Sequence, residues 1–444
     1  MFISKHNFSQ NISLAWPMAL NAILFQSMVL VDLLLVAPLG EVSIAALGIA
    51  GAIVAFFAGI QTALANGSQM IIARATGAND FIKISRDMAA AWVLNVSFSL
   101  IVCLALWLSL DSLLALVTQQ NEVAQQASLY ISIGMISLLF SSLTQVLIAY
   151  FNASRQTRIP LYGFMLEIPF NFSISLVLIH GLWGAPELGL QGAALGSLAA
   201  TLIRVTYLMV QVSRQSQLHI VDGFKYLGRS RIKSHVKEVW PIAANFITLM
   251  SGMTLYQMLF AQMSVYAYAA ITLVYPWIRI GSQFVSSWAH ATAINVSQFI
   301  GKKEQHKIPD FISDAVKIII GLSIALSLVF VVFSLSVQWV YPLLEPETLA
   351  MLALIAPIYI VLPIVRTYNT ICGNTLRAMG DSYLVLRIHA FSQWAIALPL
   401  CALSVYLGAP IYIVFGIVLF EELIKYLPFK RALGKRVASY RESA

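Results

Sequence analysis

Charge is what this sequence has least of: Asp, Glu, Lys and Arg together make up 10% of its 444 residues. A soluble globular chain carries about 25%. So little polar surface excludes a water-soluble fold for most of the chain, and lipid is the solvent that remains. Long polar stretches are missing too. The longest, Arg214 to Lys237, is enough for a linker and too short for a domain. Cysteine is scarce: Cys103, Cys372 and Cys401 lie far apart in apolar runs, which excludes a disulfide framework and offers no metal spacing. His180, His290 and His389 have no metal-ligand spacing either. There is no H-E-x-x-H, no P-loop and no nucleophile elbow. The expectation is therefore no enzyme, no catalytic residue, no metal and no cofactor. Any transport would draw on an ion gradient. No cleavable signal pattern leads into the first apolar run, which is read as the first span, kept in the mature protein.

What is present is apolar: 59% of the residues are hydrophobic. A helix needs roughly 20 apolar residues to cross about 30 Å of hydrocarbon. Runs of that size fall near 12–37, 44–73, 88–110, 123–149, 160–181, 190–213, 238–262, 269–300, 311–338, 348–374, 385–407 and 411–433. Their length favours helices over barrel strands, so the expected fold class is an all-α membrane protein of twelve transmembrane helices. The loops alternate in charge. One set holds Glu41, Asp111, Glu122, Glu187, Glu345 and Glu347, with no Lys or Arg. The other set, with Lys5 and the C-terminal tail from Lys425 onward, takes every basic residue except Arg204, Arg279, Lys317 and Arg366. By the positive-inside rule that side is cytoplasmic, which puts both termini inside, as for a multi-pass protein of a bacterial inner membrane. The net charge of +8 is thus topogenic and does not call for nucleic acid.

The chain also repeats itself. Trp16-Pro17-Met18-Ala19-Leu20-Asn21 returns as Trp240-Pro241-Ile242-Ala243-Ala244-Asn245, and Gly77 returns as Gly301 at the same offset. Asn152 to Thr157 returns as Arg377 to Ser382, one position out of step with the others. Six spans per repeat is even, so both halves enter the membrane from the same side and form a parallel repeat with a cleft expected between them. The expected organisation is a lobe of residues 1–213, a cytoplasmic linker of 214–237, and a lobe of 238–444 with its tail. Two such bundles can rock to give alternating access.

At this point the sequence resembles the multidrug and toxic compound extrusion (MATE) family over nearly its whole length. Three motifs carry the resemblance: Pro17 followed fifteen residues later by Asp32 in Leu30-Val31-Asp32; the loop motifs Arg74 to Gly77 and Leu376-Arg377-Ala378-Met379-Gly380-Asp381; and Leu188-Gly189-Leu190-Gln191-Gly192-Ala193-Ala194 at the sixth span. The resemblance implies a V-shaped, two-lobe exporter that exchanges a drug-like, cationic small molecule for protons or sodium ions. Asp32 matches the family's first-helix ion-coupling aspartate and Asn171 its fifth-helix asparagine. Ser175 stands where the family often has Asp, and Ser197 where it often has Thr. Leu249 and Arg366 stand where some members carry acids in the seventh and tenth helices. These departures argue against a carboxylate-rich sodium cage in either lobe.

The residues themselves give a second reading. A carboxylate at Asp32, between Val31 and Leu33 in an apolar helix, is costly unless paired or in a wet crevice. It is the natural group to gain and lose a proton in each cycle. The bland alternative is an acid neutralised by Arg279 or Arg366. Tyr256 is the counterpart of Asp32 in the repeat, so the acid is expected in one lobe only. Pro17 removes an intrahelical hydrogen bond and can act as a hinge, or simply start the helix. Asn171, Ser175 and Ser197 are candidates to bond the carboxylate, or ordinary interhelical contacts. Asn21, Asn245, Tyr256, Gln257, Arg279 and Arg366 are the expected substrate-cleft residues. Glu167 is read as the partner of Arg204. Met250, Met253, Met258 and Met263 suit either a promiscuous surface or lipid-facing filler. The expected function is proton-coupled antiport by a monomer in contact with lipid. The alternatives are a lipid-linked sugar flippase, a major-facilitator carrier, whose basic second-loop motif is poorly matched, and a non-transporting scaffold.

Overall fold

The computed structural model of the chain describes residues 4–218, 220–342 and 344–442. Among them there is no strand. The long helices are α1 (Lys5–Val36), α2 (Glu41–Gly77), α3 (Phe81–Val117), α4 (Asn121–Ala153), α5 (Arg158–His180) and α6 (Leu190–Ser213). A short α7 (Ile220–Lys225) leads to α8 (Arg229–Phe260), α9 (Val265–Gly301), α10 (Ile308–Val340) and α11 (Pro346–Ala378). The next span is α12 (Ser382–Ala390) and α13 (Leu398–Tyr406), joined without a break by a π-helical segment, Phe391–Ala397. The last helix is α14 (Ile411–Glu442). Counting that joined helix as one, twelve long helical runs correspond to the twelve expected spans. Ten carry an apolar stretch of membrane-crossing length. The other two, α9 and α14, are as long but carry more polar residues inside. Broad apolar faces point outward, as at Leu108 (70% exposed) and Leu335 (80%), and this is a multi-pass membrane protein.

Local chemistry sets the ends. Asp80 caps α3 by accepting the Lys83 N–H at 2.9 Å, and Ser264 caps α9 by accepting that of Ala267 at 3.3 Å. Four helices end in one kind of turn, in which a residue with positive φ follows the last turn and the next N–H reaches back five residues to a free carbonyl. After α2 this residue is Asn79 (φ 53°), with Asp80 N–H on the Ala75 carbonyl; after α9 it is Lys303 (φ 60°), with Glu304 on Phe299. After α4 it is Arg155 (φ 63°), with Gln156 on Phe151; after α11 it is Gly380 (φ 93°), with Asp381 on Leu376. Asn79 and Lys303 are separated in sequence as Gly77 and Gly301 are, and Arg155 and Gly380 as Asn152 and Arg377 are. The repeat seen in the sequence is therefore also a repeat of backbone geometry.

Packing divides the chain into two compact units, Leu20–Ala243 and Met1–Ala19 with Ala244–Ala444. The boundaries lie inside α1 and α8, whereas sequence order suggested lobes 1–213 and 238–444 joined by 214–237. Matched hydrogen bonds hold the crossing segments to their units. In one unit, Asn7 donates to Asp314 at 2.8 Å and Asn11 to the Thr292 hydroxyl at 3.1 Å. In the other, Arg231 bonds Asp87 at 2.6 Å and His235 meets the Ser68 hydroxyl at 2.9 Å. Asn7 and Arg231, Asn11 and His235, and Ser68 and Thr292 are equivalent positions of the repeat, each pair spaced as Trp16 and Trp240 are. The expected linker contains α7, whose Phe224 stacks on Trp92 with centroids 6.0 Å apart. The apolar core of the first unit gathers Val102, Leu106, Ile131 and Ile179, and that of the second Phe260, Ile355, Tyr359 and Phe415.

Candidate functional site

Helices α5 and α6 approach closely because α6 is small where they meet. A Cβ on Gly192 would lie 2.6 Å from the Leu178 carbonyl carbon, and one on Gly196 would collide with the Ser175 hydroxyl. Small residues that let helices touch are the usual device for packing in lipid. The close approach brings Asn171 of α5 against Ser197 of α6, its Nδ2 donating to Ser197 Oγ at 2.9 Å. Ser197 in turn donates to Oδ2 of Asp32 on α1 at 3.3 Å. Asp32 is 9% exposed, and its Oδ1 has no hydrogen-bond partner. No ion pair involves Asp32 among the described residues.

The nearby cation is held elsewhere. Arg204 of α6 pairs with Glu167 of α5 at 2.6 Å, both buried, and the guanidinium lies 4.2 Å from the centroid of the Phe164 ring. Thr201 also reaches Glu167, at 3.5 Å. Of the residues expected around the acid, the structure brings together Asp32, Ser197 and Asn171. Ser175 is buried against Gly196 and makes no bond to Asp32. Sequence reasoning passed over Thr201. Pro17 is a buried interior residue of α1, two positions before the packing units exchange. It therefore does not merely start the helix. Asn21 is buried, with its Oδ1 unpartnered.

The second unit holds a larger cluster. The Tyr256 hydroxyl on α8 donates to Oε2 of Glu421 on α14 at 2.6 Å. Lys425, one turn further along α14, donates to Oε1 of Glu421 at 2.5 Å and lies 3.5 Å from Oε1 of Glu422. Asn369 of α11 donates to Oε2 of Glu422 at 2.9 Å, and Arg366 pairs with Oε1 of the same carboxylate at 3.3 Å. Glu421, Glu422 and Lys425 are 5%, 7% and 2% exposed. This corrects the expectation that an acid belongs to one lobe only. Tyr256 does stand where Asp32 stands in the repeat, but it hydrogen-bonds an acid supplied by the last helix. It also corrects the placing of Lys425 among the charges of the cytoplasmic tail. A signal existed: Glu421 is the repeat counterpart of Ser197, as Tyr256 is of Asp32, so acid and hydroxyl have changed places between the repeats.

The other expected cleft residues are spread out. Asn245 is buried and its Oδ1 meets Nδ1 of His389 at 2.6 Å. Gln257 and Arg279 lie on exposed faces of α8 and α9. Arg366 is partly exposed, with its charge shared with Glu422. Met258 is 59% exposed, as lipid-facing filler would be, whereas Met263 packs on the core. No group of three or more His, Cys, Asp or Glu side chains is arranged to hold a metal ion among the described residues.

Two repeated helical units in a membrane, each with a buried acid held by a hydroxyl, define a transporter-like architecture. The comparisons with known proteins give it a family. The model of the MatE family matches residues 17–177 and again residues 241–403. The two matches begin at Pro17 and Pro241, equivalent positions of the internal repeat. This chain belongs to the MatE family and is a MATE family transporter. It is 24% identical over 415 residues to the "Uncharacterized transporter YisQ" of Bacillus subtilis, covering 89% of this chain and 87% of that one. It is 22% identical over 384 residues to the "Probable multidrug resistance protein NorM" of Rhizobium meliloti, covering 83% and 82%. Its fold superimposes on the crystal structure of the Vibrio cholerae MATE transporter VcmN in the bent form, with a TM-score of 0.86 at 20% identity over 98% of both chains.

Proposed function

We propose that this protein exports drug-like organic cations from the cell by exchanging them for protons, with Asp32 as the coupling group. The observation that carries the reading is the state of Asp32: buried, held by a single hydroxyl, with one carboxylate oxygen unpartnered and no cation paired to it. A buried charge without a counter-charge is unstable. Such a group is stable when protonated or when it faces a cation, and each condition excludes the other. Competition of proton and organic cation for one carboxylate is the essence of antiport. The pairing of Arg366 with Glu422 favours a cationic cargo, because that arginine no longer presents an uncompensated positive charge. The names of the relatives, a multidrug resistance protein among them, point to xenobiotics as the cargo class.

In this reading α1 transmits the event. Pro17 interrupts its hydrogen bonding between the segment that packs with one unit and Asp32 in the other. Protonation of Asp32 loosens its hold on Ser197 and lets the helix bend. The protein works as a monomer in the inner membrane of a bacterium, both termini in the cytoplasm, where the basic loops put them. The proton gradient is sufficient: one charge crossing 100 mV is worth about 2.3 kcal/mol. Efflux of a fluorescent cationic dye from cells expressing the protein tests the proposal. Efflux should stop with a protonophore or with Asp32→Asn and persist without sodium. Normal efflux by Asp32→Asn would refute it.

A further inference from the structure

The cluster on α14 has the parts of a cation site, and the site is already filled by the protein. We infer that Lys425 is a tethered cation occupying the carboxylate site of the second unit, and that removing its charge opens this site to a monovalent metal ion. The inference rests on the proposed function and deepens it, because among the described residues it leaves Asp32 as the one buried acid without an ion pair.

Glu421, Glu422 and Lys425 sit at i, i+1 and i+4 of one helix, which sets the lysine ammonium over the two carboxylates one turn away. The ammonium is enclosed: its residue is 2% exposed, at 2.5 Å from Glu421 and 3.5 Å from Glu422. The groups its ammonium meets are hard oxygen donors, the two carboxylates, with the Tyr256 hydroxyl behind Glu421. Oxygen sets of this kind suit alkali and alkaline-earth ions rather than soft metals. Charge selects among them. Two carboxylates face two cations, Lys425 and Arg366. Without Lys425 the cluster carries one uncompensated negative charge, which one monovalent ion neutralises. Truncating the lysine also leaves room for the ion, because a removed side chain of that size vacates more than a water's volume.

The relation to the other unit gives the arrangement a purpose. Tyr256 with Glu421 repeats Asp32 with Ser197 at equivalent positions, with acid and hydroxyl exchanged. At the first acid no cation is built in. At the second a lysine is covalently held beside it, so no ion from solution need enter or leave there. The second unit then supports the cycle without an ion of its own.

The test uses the full-length protein in detergent, carrying Asp32→Asn so that any ion response of the first unit is absent. Thermal unfolding is followed in sodium, lithium, potassium and choline chloride at equal ionic strength. With Lys425 intact the midpoint should be the same in all four salts. With Lys425→Ala added it should fall in choline and rise saturably by several degrees in sodium or lithium, and a further Glu421→Gln should abolish that rise. A Lys425→Ala protein indifferent to the cation overturns the inference. If Lys425→Ala does not fold in choline, purification in sodium should recover it, and the charge-matched Glu421→Gln/Lys425→Met should fold in every salt. Failure of either of these also overturns it. Because ion binding is read without transport, these outcomes are independent of whether Asp32 couples protons to efflux.

Discussion

The two units place an acid and a hydroxyl at equivalent positions and treat the acid in opposite ways. In the first, Asp32 is on the first helix of the repeat and Ser197 on the last, 3.3 Å apart, with no ion pair. In the second, Tyr256 is on the first helix and Glu421 on the last, 2.6 Å apart, and Lys425 locks the acid at 2.5 Å. A buried carboxylate paired with an equally buried ammonium has little reason to change its protonation, since losing either charge strands the other. A buried carboxylate held by one hydroxyl has every reason to. On the proposed reading the same scaffold yields a switch in one place and a strut in the other, according to whether a cation is built in.

The contrast can be broken most severely at Asp32. Asp32→Asn should reduce dye efflux to the background of cells without the protein, while the purified variant unfolds at or above the wild-type temperature, because a buried charge has been removed. The matching change in the second unit should act on stability. Lys425→Ala should cost about 3–5 kcal/mol, the range for breaking one side of a buried ion pair. Glu421→Gln/Lys425→Met should recover most of that loss in the same chemical unfolding experiment. Tyr256→Phe removes a hydrogen bond to a charged group and should cost about 1.5–3 kcal/mol, with dye efflux retained. Gly196→Ala forces a Cβ into Ser175 and should cost about 1–3 kcal/mol. It should also lower efflux, since it pushes apart the helices that carry Asn171 and Ser197. The smallest change in stability is expected for Ser197→Ala, about 0.5–1.5 kcal/mol, with efflux reduced several-fold but not lost.

Most of the fold could be read before any coordinates, because hydropathy, loop charge and repetition are properties of chain segments. The run expected at 190–213 is the helix Leu190–Ser213, and that at 160–181 is Arg158–His180. Helices such as Phe81–Val117 outrun their apolar centres, because helical hydrogen bonding continues where lipid gives way to water. The cluster on α14 was signalled only by the repeat and missed by hydropathy, for a related reason. A window average sees Glu421, Glu422 and Lys425 only as three charges inside the run expected at 411–433, and an average carries no information on where they point. That they lie on one face and neutralise one another is a fact of three dimensions. So is the exchange of packing within α1 and α8, where Asn7, Asn11, Arg231 and His235 find partners that no local pattern announces. At Asp32, by contrast, a lone acid in an apolar helix was conspicuous in one dimension, while Asn171 was reached through the family resemblance. The failure of Ser175 to reach the acid depends on how closely α5 and α6 approach, which a motif cannot encode.

The most direct test of the account is to count protons at the acid itself. Adding a cationic dye to the purified protein in weakly buffered detergent solution should release protons from the wild type and from Glu421→Gln/Lys425→Met alike, and none from Asp32→Asn. Equal proton release from Asp32→Asn, or its loss in the α14 double variant alone, would contradict the division of labour between the two units.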